Sequence, residues 1–199
     1  LANKEIFDRI AMQYDTPDRI HLAQIITAEI KKNLEDPSEK TLIDYGSGTG
    51  LVSLPLSPEF REVFLIDASP AMLETAEQKI QAAQVTNVHT MTADFLKDSI
   101  DVKGDVILVS LVLLHIPETE KILQELYQHL NPGGKLIIAD FDKNEKIDHP
   151  KVHNGFDQEE LKKLLLKTGF SESESHTFYH GEKLFMREDA SLFLSISSK

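Results

Sequence analysis

The stretch Asp44-Tyr45-Gly46-Ser47-Gly48-Thr49-Gly50 sets three glycines at alternate positions behind an acid. Glycines at that spacing let the backbone turn sharply and let a ligand lie against bare main chain. Beyond the carboxyl end of a first parallel strand, such a loop is where open α/β sheets bind nucleotides. The spacing also argues against two ligands. A dinucleotide fingerprint would place its third glycine at 51, where Leu51 stands, and a triphosphate-binding loop would need a lysine after Gly50. Asp67 follows 17 positions after Gly50, within Leu65-Ile66-Asp67-Ala68-Ser69. An acid at the tip of a second strand can accept both hydroxyls of a ribose. Ala93-Asp94-Phe95 closes a third apolar run with an acceptor and an apolar ring, the pair that an adenine requires.

Proton transfer has its own candidates among eight histidines. His115 follows the fourth apolar run, and His149 and His153 lie in the connection after the fifth. His115 and His153 are the candidate catalytic residues, as proton acceptors for an oxygen or nitrogen nucleophile. His149-x-x-x-His153 has a metal-like spacing but lacks a third ligand. Asp140, Asp142 and Asn144 offer oxygens for magnesium after the fifth run. No metal is expected at either place. Cysteine is absent, which excludes disulfides, thiolate nucleophiles and cysteine-ligated zinc.

The elements that must position these residues alternate in type. Apolar runs at 41–45, 63–66, 88–93, 105–110 and 135–139 read as buried strands. Between His21 and Leu34, residues Leu22, Ile25, Ile26, Ile30 and Leu34 form one helical stripe. Pro55 and Pro58 keep any helix after Gly50 short or irregular. Ser69-Pro70 predicts an N-cap followed by proline at the first helical position. Pro117 opens a further helix with Glu118 and Glu120 in its first turn, and Asn131-Pro132-Gly133-Gly134 stops it. Asp157 and Glu160 frame the start of another helix, which Gly169 ends. Two strand-like segments follow, 173–179 and 190–197, with turn chemistry at His180-Gly181-Glu182. Five βα-type units and a closing hairpin make an open, mostly parallel α/β sheet with helices on both faces.

Charge narrows the partners. The 199 residues carry 33 acids against 21 Lys and Arg, a net charge of −12. Such a surface repels phosphate backbones and anionic lipid, so neither nucleic acid nor membrane is expected as a partner. No apolar run approaches the roughly 20 residues that span a bilayer. Leu1–Ile10 does not read as a signal peptide. A cytoplasmic monomer or homodimer is the expectation.

Taken together, the glycine loop, Asp67 and Ala93-Asp94-Phe95 resemble the motifs of the class I S-adenosylmethionine-dependent methyltransferases. Ser110-Leu111-Val112-Leu113-Leu114-His115 is similar to the family's segment after strand four, and Asn131-Pro132-Gly133-Gly134-Lys135-Leu136 to its junction into strand five. Phe7-Asp8-x-x-Ala11-x-x-Tyr14-Asp15 looks like the opening of the small-molecule members. The resemblance implies a seven-stranded Rossmann-like sheet of order 3-2-1-4-5-7-6 with strand seven antiparallel. It implies S-adenosyl-L-methionine as cofactor. Asp44, Gly46, Ser47, Gly48 and Gly50 would meet its methionine and ribose parts; Asp67, Ala68 and Met72 its ribose side; Ala93, Asp94 and Phe95 its adenine. Ser110 would lie under the methionine part and Tyr14 would close over the sulfonium.

Departures from the family limit the acceptor. The Asn/Asp-Pro-Pro-aromatic motif of the nucleic-acid branch is replaced by Ser110-Leu111-Val112-Leu113. Ser110 also stands where the metal-dependent catechol-type branch needs an acid. The resemblance therefore implies a small-molecule acceptor methylated at oxygen, nitrogen or a carboxylate. Residues 1–36 are read as a helical lid and 37–199 as the cofactor-binding part of a single domain. Two other readings stand beside this one: a non-catalytic protein that binds the cofactor or its product, and a nicotinamide dehydrogenase. Leu51 and the closing hairpin speak against the latter.

Overall fold

In the computed structural model, which describes residues 4–150 and 152–199, the central strands form where apolar runs are covered on both faces, while the two strands at the sheet edges are more exposed. The strands are β1 (Thr41–Tyr45), β2 (Glu62–Asp67), β3 (Val88–Thr92), β4 (Gly104–Ser110), β5 (Leu130–Phe141), β6 (Glu172–Phe185) and β7 (Glu188–Ser198). They form one sheet in the order β3-β2-β1-β4-β5-β7-β6. The first five run parallel, and β7 pairs antiparallel with both β5 and β6. The carboxyl ends of β1 and β4 thus lie side by side at the centre. That reversal point is where such sheets bind ligands.

The helices are α1 (Lys4–Ile10), α2 (Pro17–Lys32), α3 (Pro70–Ala82), α4 (Thr119–His129) and α5 (Gln158–Thr168). Side-chain caps set the starts of α2, α3 and α5. Ser69 Oγ accepts the Met72 N–H at 3.2 Å, and Asp157 Oδ1 accepts that of Glu160 at 3.0 Å. Thr16 caps α2 with Pro17 at its first position, so α2 begins five residues before Leu22, the first residue of the apolar stripe. The proline-containing segment after the glycine loop folds as a 3₁₀ turn, Leu54–Glu59. Each face of the sheet has its own core. One holds Ile26, Ile30, Leu42, Val106, Leu108 and Leu192, and the other Ile43, Ile107, Ile122, Leu126, Leu161 and Phe193.

Two expectations are corrected. The connection 93–103 between β3 and β4 carries no helix, so the third unit crosses by a loop. The hairpin does not turn at His180-Gly181-Glu182. β6 continues to Phe185, and the chain reverses at Met186 and Arg187, both left-handed with φ of 53° and 68°. Phe185 is buried and stacks on Phe141 at 4.3 Å and 7°, which fixes the far end of β6. Within the described part of residues 1–36, α2 packs into the core. Ile26 and Ile30 of α2 are 0% and 1% exposed, within a core that the strands share. The described part of the segment ahead of α2, residues 4–16, lies over the sheet end as a cover; residues 1–3 of the expected lid lie outside the described residues.

Candidate active-site cleft

Two carbonyl bonds start the glycine loop. The Gly46 and Ser47 N–H groups both donate to Ile66 O, at 2.7 and 3.2 Å, so the end of β1 turns against the end of β2. Gly46 has φ +75°, and a Cβ there would stand 2.4 Å from Val112 Cγ2. Only glycine satisfies both the dihedral and the contact. Asp67 completes the corner. Its Oδ2 accepts the Gly48 N–H at 2.9 Å and its Oδ1 accepts the Ser69 N–H at 2.8 Å. Those bonds leave carboxylate lone pairs for further donors.

Asp44, Gly46, Ser47, Gly48 and Asp67 line one cleft together with Met72, Ser110 and His115. Its remaining wall is apolar, with Leu22, Ile26, Leu51, Val52, Leu111 and Val112 among the lining residues. Ser47 lines the cleft, and its Oγ is buried with no hydrogen-bond partner among the described residues. Asp44 is 2% exposed. Burial, with the Asp67 charge adding to it, pushes its carboxyl up to about 7. Burial also raises the Asp67 carboxyl above its ordinary value. A cationic group entering the cleft would favour the ionised form of both.

The roof comes from the segment ahead of α2 and from the first turn of α2 itself. Phe7, Tyr14 and Arg19 line the cleft. Tyr14 Cε1 lies 4.0 Å from where a Cβ on Gly48 would stand. Arg19 places its guanidinium 4.3 Å from the Tyr14 ring centroid and donates from Nη1 to Tyr14 O at 3.0 Å. A protein cation therefore already holds the kind of contact that the sequence reading reserved for a sulfonium. Two latches hold this roof down. Asp8 Oδ1 accepts from the Ser69 hydroxyl at 2.5 Å. Asp15 accepts from Thr49 Oγ1 at 2.5 Å and pairs with Lys79 Nζ at 2.5 Å, while Lys79 also donates to Thr49 O at 2.8 Å. Sequence reasoning missed this cluster; no local pattern links residues 34 and 30 positions apart.

The structure separates the two candidate histidines. His115 lines the cleft and meets Phe7 edge to face at 5.3 Å and 81°. Burial pushes its imidazole down to about 4, so the ring is neutral at physiological pH. His153 does not line the cleft, and its Nε2 lies 3.1 Å from Ile116 O. Ala93, Asp94 and Phe95 also lie beyond the cleft lining. The Ala93 N–H bonds to Asp67 O at 3.1 Å, which brings the β3 tip beside the acid. Asp94 Oδ1 accepts from the buried Tyr45 hydroxyl at 3.3 Å and from Leu96 N at 3.1 Å. Phe95 is 3% exposed, stacked on His129 at 4.0 Å and tilted against Tyr45 at 4.4 Å. Its ring thus serves the core. Ala68 is buried at the turn after Asp67. No group of three or more His, Asp or Glu side chains suited to a metal occurs among the described residues. Asp142 instead accepts from Gln158 and Thr177, at 2.6 and 2.8 Å.

Residues 36–180 match the family described as "Methyltransferase domain". The chain belongs to that family. It carries the class I S-adenosylmethionine-dependent methyltransferase domain, with the seven-stranded order that the sequence resemblance implied. Among solved structures, this methyltransferase is similar to the N-methyltransferase NodS from Bradyrhizobium japonicum, at TM-score 0.76 and 16% identity, covering 100% of this chain and 99% of that one. Among curated relatives it is 28% identical to a ubiquinone biosynthesis O-methyltransferase of Rickettsia prowazekii, over 62% of this chain and 48% of the relative. It is 26% identical to a tRNA 5-carboxymethoxyuridine methyltransferase of Escherichia coli, over 61% of this chain and 48% of the relative. The chain thus spans about half the length of these two relatives. Among the described residues, no helix is long and apolar enough to cross a membrane.

Proposed function

We propose that this chain transfers a methyl group from S-adenosylmethionine to an oxygen or nitrogen of a small, largely apolar acceptor. The observation that carries the reading is the single cleft joining the glycine loop, Asp67 and His115 beneath an aromatic roof. The cofactor supplies a methyl group already activated on a sulfonium, ready for in-line displacement. The protein's share is to bind, orient and dry the site.

Asp67 accepts the ribose hydroxyls, and Ser47 Oγ finds there the partner that it lacks within the protein. Asp44, beside Asp67 in the cleft, favours a cationic ligand once ionised. Asp94, held by Tyr45, offers an acceptor to the adenine amino group. Phe7 and Tyr14 cover the methyl group and exclude water. His115 takes the proton of a hydroxyl or an ammonium acceptor, its burial having kept the imidazole neutral for that step. An acceptor carboxylate would need no base.

The apolar wall of Leu22, Ile26, Leu51 and Val52 favours an acceptor with an apolar body. A relative that methylates a ubiquinone precursor fits that wall. The tRNA-methylating relative fits the net charge of −12 less well, since that charge opposes a polyanion. Titration calorimetry with S-adenosylmethionine and S-adenosylhomocysteine, followed by an acceptor panel scored for S-adenosylhomocysteine, tests the reading. Binding with turnover on an apolar hydroxyl or amine supports it. Binding without turnover on any acceptor would return the chain to a non-catalytic cofactor-binding role. NAD binding in place of both would point to a dehydrogenase.

A further inference from the structure

His115 sits on a 3₁₀ turn, Leu113–His115, that two residues outside the cleft lining hold from behind. Asp140, near the end of β5, is 0% exposed. Its Oδ2 accepts the Leu114 N–H at 3.3 Å and its Oδ1 accepts the Phe141 N–H at 2.8 Å. His153 grips the same turn from the connection after β5. Its backbone N–H donates to Leu114 O at 2.8 Å, and its Nε2 faces Ile116 O at 3.1 Å. A carbonyl only accepts, so His153 Nε2 must be the protonated nitrogen. That bond commits Nε2 to the backbone of the turn and leaves Nδ1 as the ring's acceptor.

The segment so held is strained. Leu111 has φ +54°, a left-handed conformation that is unfavourable for a residue with a Cβ. Such a conformation persists only where its surroundings over-determine it. The surroundings are visible: Leu111 N–H donates to Ala139 O at 2.8 Å, one residue before Asp140. Burying a carboxyl group this completely is costly, and its bonds from the Leu114 and Phe141 N–H groups offset that cost. What its bond to Leu114 fixes is the pitch of a turn whose last residue points into the cleft.

We propose that Asp140 and His153 are positioning residues that together aim His115 at the acceptor. The proposal rests on the reading of His115 as the proton acceptor, and it gives His153 a different task from the one its residue type first suggested. Neither side chain needs to touch cofactor or acceptor.

The test compares His153→Ala, His153→Gln and Asp140→Asn in the full chain. Two readouts are taken: the ring ¹⁵N and ¹H resonances of His115, and kcat, acceptor KM and cofactor Kd. In His153→Ala the His115 resonances should move and kcat should fall about ten- to a hundred-fold, the scale of a small misplacement of reacting groups. Cofactor Kd and acceptor KM should hold. His153→Gln, which restores an N–H donor toward Ile116 O, should recover both the resonances and the rate. Asp140→Asn, where it folds, should move the same resonances; where it does not fold, the His153 pair decides. Unmoved His115 resonances in folded His153→Ala would overturn the proposal, as would a Gln variant no better than Ala. A wild-type chain without turnover on any acceptor would defeat the functional reading alone, because the resonances still report on the brace.

Discussion

Asp67 Oδ2 lies 2.9 Å from the Gly48 amide nitrogen, so the acid at the tip of β2 grips the glycine loop at the end of β1. One side chain thereby shapes the loop and faces its ligand. Asp67→Ala should weaken S-adenosylmethionine binding by about 1.5–3 kcal/mol, the scale of hydrogen bonds to a charged group. It should also lower the melting temperature without cofactor, because two backbone donors lose their acceptor. Calorimetry and a thermal melt check the two effects, and an unchanged Kd would reject the ribose assignment.

Gly46→Ala tests the loop from the other side. The new methyl group would meet Val112 Cγ2 at 2.4 Å and force a left-handed φ on alanine. Overpacking of that kind costs about 1–3 kcal/mol, and the dihedral about 1–2 more. A denaturant midpoint within error of the wild type would contradict the loop geometry.

The role of His115 is expected to depend on the acceptor. With a hydroxyl or protonated amine, His115→Asn should lower kcat by about 10²–10⁴-fold, the usual contribution of a positioned base. With a carboxylate acceptor the rate should hold. Equal losses for both classes would make His115 a packing residue against Phe7.

Acidity of the cleft gives a prediction with a definite sign. The Asp44 carboxyl rises to about 7 in the folded protein through burial. Its contribution to stability is therefore fully present below the ordinary carboxylate range and is lost as pH rises through about 7. A cationic cofactor prefers the ionised acid, so its affinity should rise over the same window. The melting-temperature gain on adding S-adenosylmethionine should be larger near pH 8 than near pH 6. Asp44→Asn should flatten that difference, and a gain independent of pH in the wild type would count against the assignment.

Lys79 anchors the roof through Asp15 and Thr49. Both partners of the ion pair are partly exposed, at 31% and 25%, so Lys79→Met should cost no more than about 1 kcal/mol of global stability. Its local effect should be larger. Amide exchange across residues 4–16 should accelerate, and cofactor binding should slow it again. Exchange unaffected by either change would remove the closing-roof account.

Local chemistry made much of this legible from the sequence. Ser69-Pro70, Asp157 and Gly169 mark helix ends because capping involves neighbours in the chain. Asp67 was legible because its position at a strand tip constrains what it can face. Contacts between distant segments left no such trace. Tyr45 donating to Asp94, Asp140 bonding Leu114, and Lys79 meeting Asp15 all depend on the sheet order rather than on spacing. The turn at Met186-Arg187 escaped notice because neither residue favours a positive φ; the hairpin's flanking pairs impose it. Phe95 carries a ring that composition alone cannot assign to ligand or core; in the structure it is buried and stacked on His129.

β7 lies between β5 and β6, although both precede it in the chain. Until β7 docks, the outer edge of β5 presents unpaired backbone beside Leu136, Ile137 and Ile138, an edge able to recruit strands from other molecules. β6 cannot shield it, because its own place in the sheet is one strand further out. Folding of the parallel half therefore passes through a state whose hazard is intermolecular, and Leu192, Phe193 and Leu194, each 0% exposed once docked, are what ends it. Substitutions at those three positions should be felt first as lost yield during refolding at high concentration, before any change in the cleft.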